Sequence, residues 1–113
     1  MRIKTFEEFY VAELQELASV ENQLGELLLE MAEIVEGNEL RDAALIASAQ
    51  KLEHYEISAY GTAAALAGQL NLRDDQKALH QTLEEKKKAD AVLTQLAKGE
   101  VNPGASSASA SSA

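Results

Sequence analysis

Gln50-Lys51-Leu52-Glu53-His54-Tyr55-Glu56-Ile57 is the stretch on which the reading of this chain turns. At about 100° per residue on a helix wheel, Leu45, Ala49, Leu52, Ile57, Tyr60, Ala63 and Ala67 share one side. Glu53 and Glu56 sit in the middle of that apolar side, and their i, i+3 spacing makes them neighbours. Carboxylates almost never enter a helical core unless they are paired or bind a metal. An inward Glu-x-x-Glu pair is how helical bundles build carboxylate-bridged metal sites. His54 and Tyr55 fall off the apolar side, so His54 is expected to be exposed and not a ligand.

Outward from this stretch the same periodicity continues. A helix is expected from about Glu39 to Leu70, closed by Asn71. Before it, Thr5-Phe6-Glu7-Glu8 has the capping-box pattern and opens a helix whose stripe includes Phe6, Phe9, Tyr10, Leu14, Leu17, Val20, Leu24, Leu27, Leu28, Met31 and Val35. Gly37-Asn38 separates the two, Gly as C-terminal cap and Asn as the next N-cap. Asp74 or Asp75 is expected to cap a third helix, which ends near Lys98-Gly99. Its inner stripe is Leu79, Thr82, Leu83, Ala89, Leu93, Leu96 and Ala97, with Lys86 inside it. Residues 100–113, rich in Ser and Ala, are expected to form a disordered tail beyond one helical domain of residues 1–99.

Composition narrows the function. With 19 Asp+Glu against 10 Lys+Arg and a net charge of −9, the chain has no basic stripe for nucleic acid or an anionic membrane surface. No run approaches the roughly 18 apolar residues of a membrane span, and the charged N-terminus gives no sign of a secretory leader. The absence of cysteine excludes disulfides, zinc fingers and thiol catalysis. A cytoplasmic protein is the expectation. The fold class is all-α: antiparallel helices joined by short connections. Long helices with so thin a shared core are expected to self-associate, at least as a homodimer.

Other acids join the pair as candidates. Glu13 lies within about 20° of the first helix's stripe centre and Glu21 about 60° to one side. A rim ion pair with Lys or Arg is the plainer alternative for both. Glu7, Glu8, Glu16, Glu26, Glu30 and Glu33 point elsewhere and read as a solvated face. Glu85 and Asp90 flank the third stripe. Carboxylate oxygens suit iron or manganese, and two such ions can share bridging glutamates. Lys86 argues the other way, since an inward ammonium can neutralise these acids and replace a metal charge.

The stretch Arg41–Thr62, above all Gln50–Thr62, resembles a helix of the YciF-like family of bacterial ferritin-like proteins. Ile3-Lys4-Thr5, Glu13-Leu14 and Glu21-Asn22-Gln23-Leu24 resemble the family's first helix, and Thr82-Leu83-Glu84-Glu85 with Asp90 its last. The resemblance implies a four-helix, usually dimeric bundle associated with stress responses and thought to hold two metal ions. By position it makes Glu21, Glu53 and Glu56 the leading ligands, with Glu85 and Asp90 behind them. The family carries a further helix with a Glu-Glu-Thr-x-x-His-like motif between the first two segments here; in this chain Glu36-Gly37-Asn38-Glu39 runs almost directly into Arg41. Lys86 also stands where an acid is common in the family.

Two functions follow. In the first, a ferritin-like chain shortened by one helix completes its bundle as a homodimer or higher homo-oligomer. Glu21, Glu53 and Glu56 of each copy then form an intersubunit iron or manganese site, with ferroxidase or peroxide-consuming activity as its furthest extension. In the second, a non-enzymatic helical protein acts by oligomerisation or partner binding, and Lys86 pairs with the retained carboxylates. The direction of Lys86 discriminates them.

Overall fold

The computed structural model describes residues 2–112. Its elements are α1 (Phe6–Ile34), α2 (Asn38–Gln69), α3 (Arg73–Leu96), a π-helical turn (Ala97–Val101) and α4 (Asn102–Ser112). No strand occurs among the described residues, so the all-α expectation holds.

The first two helix boundaries follow local chemistry. Thr5 Oγ1 accepts the Glu8 N–H at 3.1 Å, and Glu8 Oε2 accepts the Lys4 N–H at 2.9 Å, so orphan donors at the start of α1 are satisfied from both directions. At the other end, Gly37 takes φ +90°, the turn that reverses the chain. Arg41 then reaches back to donate to the Val35 carbonyl at 3.3 Å. α2 closes with Asn71 in the left-handed region at φ 59°. The Leu72 N–H meets the Ala67 carbonyl at 2.9 Å and the Asn71 N–H meets that of Gly68 at 3.1 Å, the paired bonds of a Schellman closure.

Three boundaries differ from expectation. Gly37, not Asn38, is the N-cap of α2, and Asn38 is already helical. Leu72 precedes α3 with no side-chain cap, so Asp74 and Asp75 lie inside its first turn, where they complement the helix dipole. Nor does the helical path stop at Gly99. Pro103 in a continuous α-helix would clash with the carbonyl four residues back. The π-helical turn removes that conflict, the Asn102 N–H bonding the Ala97 carbonyl five residues earlier. Residues 102–112, expected to be disordered, are therefore helical here, and Ala105 is buried. Ala and Ser are small enough for α4 to lie against α2.

α2 is the central element. α1 runs antiparallel along one side: Tyr10 clusters with Ala63 and Ala67, while Leu24–Ile34 reach the level of Ser48 and Lys51. α3 runs antiparallel along the other side, with Gln76 beside Gly68, Leu83 beside Gly61 and Thr94 beside Gln50. Tyr10 Oη donates to Asp75 Oδ2 at 3.2 Å and joins α1 to the start of α3. Among the described residues the buried apolar side chains are Tyr10, Leu17, Ala63, Ala64, Ala67, Leu83, Ala97 and Ala105. Most are alanines, so the core is thin. Phe6, Phe9, Leu27 and Leu96, read as inward from periodicity, are exposed because no helix lies over them. The molecule measures 58 × 28 × 14 Å, and its radius of gyration of 17.9 Å exceeds the roughly 13 Å of a compact domain this long.

Candidate functional site

Half-way along α2 the chain buries a charge. Glu56 is 3% exposed, and its Oε2 lies 2.8 Å from Lys86 Nζ, which reaches across from α3. The same ammonium is 3.8 Å from Glu53 Oε1. The Glu-x-x-Glu spacing therefore puts both acids on the α3 side, and Lys86 sits between them because it occupies the facing stripe of α3. From α1, Glu21 comes within hydrogen-bonding reach of Glu56. Tyr60, one turn beyond Glu56, donates its O–H to Glu21 Oε1 at 3.5 Å. Tyr60 belongs to the apolar side of α2, and its hydroxyl tethers the α1 acid.

The electrostatics follow from charge inequality. Three carboxylates meet one ammonium. Burial pushes the Glu21 carboxyl above its ordinary range, and hydrogen bonding and repulsion from Glu56 push the same way, against smaller opposite effects of Lys86 and Tyr60. Burial likewise raises Glu53, with Lys86 pulling it down and Glu56 and Asp90 pushing it up. The hydrogen bond to Glu56 raises Lys86 and outweighs its own desolvation. Burial and the Glu21 and Glu56 charges raise the Tyr60 hydroxyl. Glu53 Oε2 is buried without a hydrogen-bond partner. The cluster holds an ammonium and favours retaining a proton on Glu21 or Glu53.

The remaining candidates divide. Asp90 belongs to a neighbouring group: its Oδ2 is 3.0 Å from the exposed His54 Nε2, and its Oδ1 accepts from Gln50 Nε2 at 3.5 Å. Gln50 also donates to Thr94 Oγ1 at 2.6 Å. Glu13 is half-buried on α1, near enough to Tyr55 to raise that hydroxyl, though less than burial and Glu16 do. Glu85 is exposed on α3 and does not join the cluster, because the i, i+1 step from Lys86 turns it about 100° away. His54 is exposed, as expected, and so is His80. The residues missed in the sequence are Gln50, Thr94 and the Tyr10–Asp75 pair, whose partners lie 40 to 65 positions apart.

As arranged, these donors do not fit a dinuclear metal centre within one chain. The cation at Glu53 and Glu56 is Lys86. Among the described residues no three His, Cys, Asp or Glu side chains are grouped to hold a metal ion. Nor is any helix among them long and apolar enough to cross a membrane.

Antiparallel helices around a buried carboxylate–lysine cluster define an all-α class in which the polar groups sit inside the packing. A family model described as a domain of unknown function (DUF892) matches residues 30–106, over half of the chain. The chain belongs to that family. Protein YciF of Escherichia coli (strain K12) is 59% identical over 73 residues, which cover 65% of this chain and 44% of that protein. The crystal structure of the E. coli stress protein YciF superposes with a TM-score of 0.61 at 57% identity, covering 68% of this chain and 51% of that one. The chain thus spans about half the length of the relatives it matches. Glu53, Glu56, Lys86 and Asp90 lie inside the family match; Glu13 and Glu21 lie outside it.

Proposed function

We propose that this chain works by assembly: its inward acids and Lys86 lock three helices in register, and its uncovered apolar surface binds a second copy. The observation that carries this reading is Lys86 Nζ at 2.8 Å from the buried Glu56 and 3.8 Å from Glu53. A buried pair of this kind need not add net stability, but it disfavours any register that strands one of its charges. The position a cation would take is filled by a side chain. A cytoplasmic setting suits a chain without cysteine.

A second reading has its own support. The acids outnumber the lysine, and Glu53 Oε2 is buried and unpartnered, so the cluster can accept more positive charge. In this reading Lys86 swings out, as a lysine on a flexible stem can. Glu21, Glu53 and Glu56 of two copies then hold iron or manganese. The protein would share a stress-related role with its E. coli relative, and ferroxidase or peroxide-consuming activity would be the furthest extension.

Anaerobic iron(II) titration by calorimetry separates the two. The expected result is no stoichiometric binding by the wild type, and binding in Lys86→Ala that disappears when Glu53→Ala is added. One or two irons per dimer in the wild type, lost in Glu53→Ala, would replace the first reading with the second.

A further inference from the structure

The groove between the second half of α1 and the middle of α2 has the size and lining of a small-molecule site. It encloses about 300 Å³, at the lower end of the roughly 300–1,000 Å³ of ligand pockets. Its α1 wall is Leu24, Leu27, Leu28, Met31 and Ile34. From Leu24 to Ile34 the wall spans about 15 Å along the helix axis, close to the length of an extended dodecanoyl chain. Met31 is unbranched and adaptable, which suits a flexible guest.

The polar groups of the groove sit at its borders. α2 contributes Ser48 and Lys51, which their i, i+3 spacing makes neighbours. The hydroxyl and the ammonium are both hydrogen-bond donors. Lys51 forms no ion pair among the described residues, whereas Lys86 and Lys87 on α3 are each held by glutamate. Glu30 borders the groove from α1. We propose that this groove binds one free medium-chain fatty acid, its tail along Leu24–Ile34 and its carboxylate on Ser48 and Lys51. Glu30 limits the head group: Lys51 offsets a monoanion, and a second negative charge, as on a phosphate ester, would face Glu30 uncompensated. The net charge of −9 repels an anion at long range, but salt screens that repulsion beyond about 8 Å, so the contact with Lys51 decides. The site goes beyond the assembly reading and does not require a second copy.

Calorimetric titration of the full chain with dodecanoate, below its micelle-forming concentration, tests this. Saturable binding of one dodecanoate per chain is expected. Octanoate lacks four of its methylenes, each worth about fourfold in affinity when fully buried. It is expected to bind more weakly by about ten- to two-hundredfold. Lys51 is exposed, so Lys51→Glu should keep its helical circular dichroism. It is expected to lose about tenfold or more in dodecanoate affinity and to gain binding of dodecyltrimethylammonium. Lys87→Glu, on α3, is expected to bind dodecanoate as the wild type does. The site is overturned by no saturable binding, or by octanoate binding as tightly as dodecanoate. It is also overturned if Lys51→Glu leaves dodecanoate affinity unchanged or Lys87→Glu weakens it equally, since the ligand would then be adsorbed on the exposed apolar ridge. A wild type that prefers dodecyltrimethylammonium overturns it too, because Glu30 and not Lys51 would then select the head group.

Discussion

Lys86 faces more carboxylates than it can neutralise, and burial together with their mutual repulsion holds two of them above their ordinary titration range. Glu21 and Glu53 both have carboxyl groups raised above the ordinary value of 4.5, burial being the largest cause in each. Between 4.5 and those raised values the folded chain binds more protons than the unfolded chain. Stability therefore falls as pH rises through that window. Lys86 behaves differently: raised above 10.5 by Glu56, it contributes stability that is complete below 10.5 and lost as pH climbs through its folded value. Urea unfolding from pH 4 to 8 should show the wild type losing stability relative to Glu53→Gln as the pH rises. Parallel profiles for the two proteins would refute this proton assignment. Periodicity made Glu53, Glu56 and Lys86 legible together in the sequence, since all three fall on facing stripes. It could not give the raised Glu21 carboxyl or the Tyr60 tether, which depend on how closely α1 approaches α2.

Among the elements, the breaks between helices carry the topology. Gly37 takes φ +90° and ψ 142°, a region that residues with a Cβ avoid at a cost of roughly 1–3 kcal/mol. No atom stands within 4 Å of a Cβ built at Gly37 or at Gly25, so sterics do not separate these two sites and backbone conformation does. Gly37→Ala should destabilise the fold by about 1–3 kcal/mol. Gly25→Ala, in the middle of α1, should stabilise it by about 0.5–1 kcal/mol. Urea midpoints of the two variants should move in opposite directions, and movement in the same direction would refute the argument. Thr5, Gly37 and Asn71 could be read as boundaries because capping and positive φ are local properties. The helical state of residues 102–112 could not, because it depends on a π-helical turn that accommodates Pro103 and on Ala105 finding cover against α2. Neither is written in the composition of the segment. The inward stripe of α1 was half legible for a similar reason: a wheel finds which residues want cover, not which neighbour supplies it.

For the whole molecule, the question is how a 113-residue chain stays folded with so few large side chains buried. Among the described residues Tyr10, Leu17 and Leu83 are the large members of its core; the others are alanines. Burial of a Leu-sized side chain contributes about 1.5–3 kcal/mol, and an alanine much less. The entropy of ordering helices 29 and 32 residues long works against this at every residue. The exposed ridge of α1 is the reserve from which the shortfall can be met, provided a second copy covers it. Folding and association are then linked, and the thermal midpoint depends on concentration. Each tenfold increase in protein should add about 1.4 kcal/mol to unfolding of the dimer, a rise of roughly 3–6 °C for a unit of this combined size. Thermal melts followed by circular dichroism at 2, 20 and about 200 μM, concentrations chosen to span the range in which such dimers dissociate, measure it directly. Leu27→Glu/Ile34→Glu should melt lower and at one temperature throughout. A wild-type midpoint independent of concentration would mean that the thin core suffices alone, and that the open face of α1 serves neither stability nor a second copy.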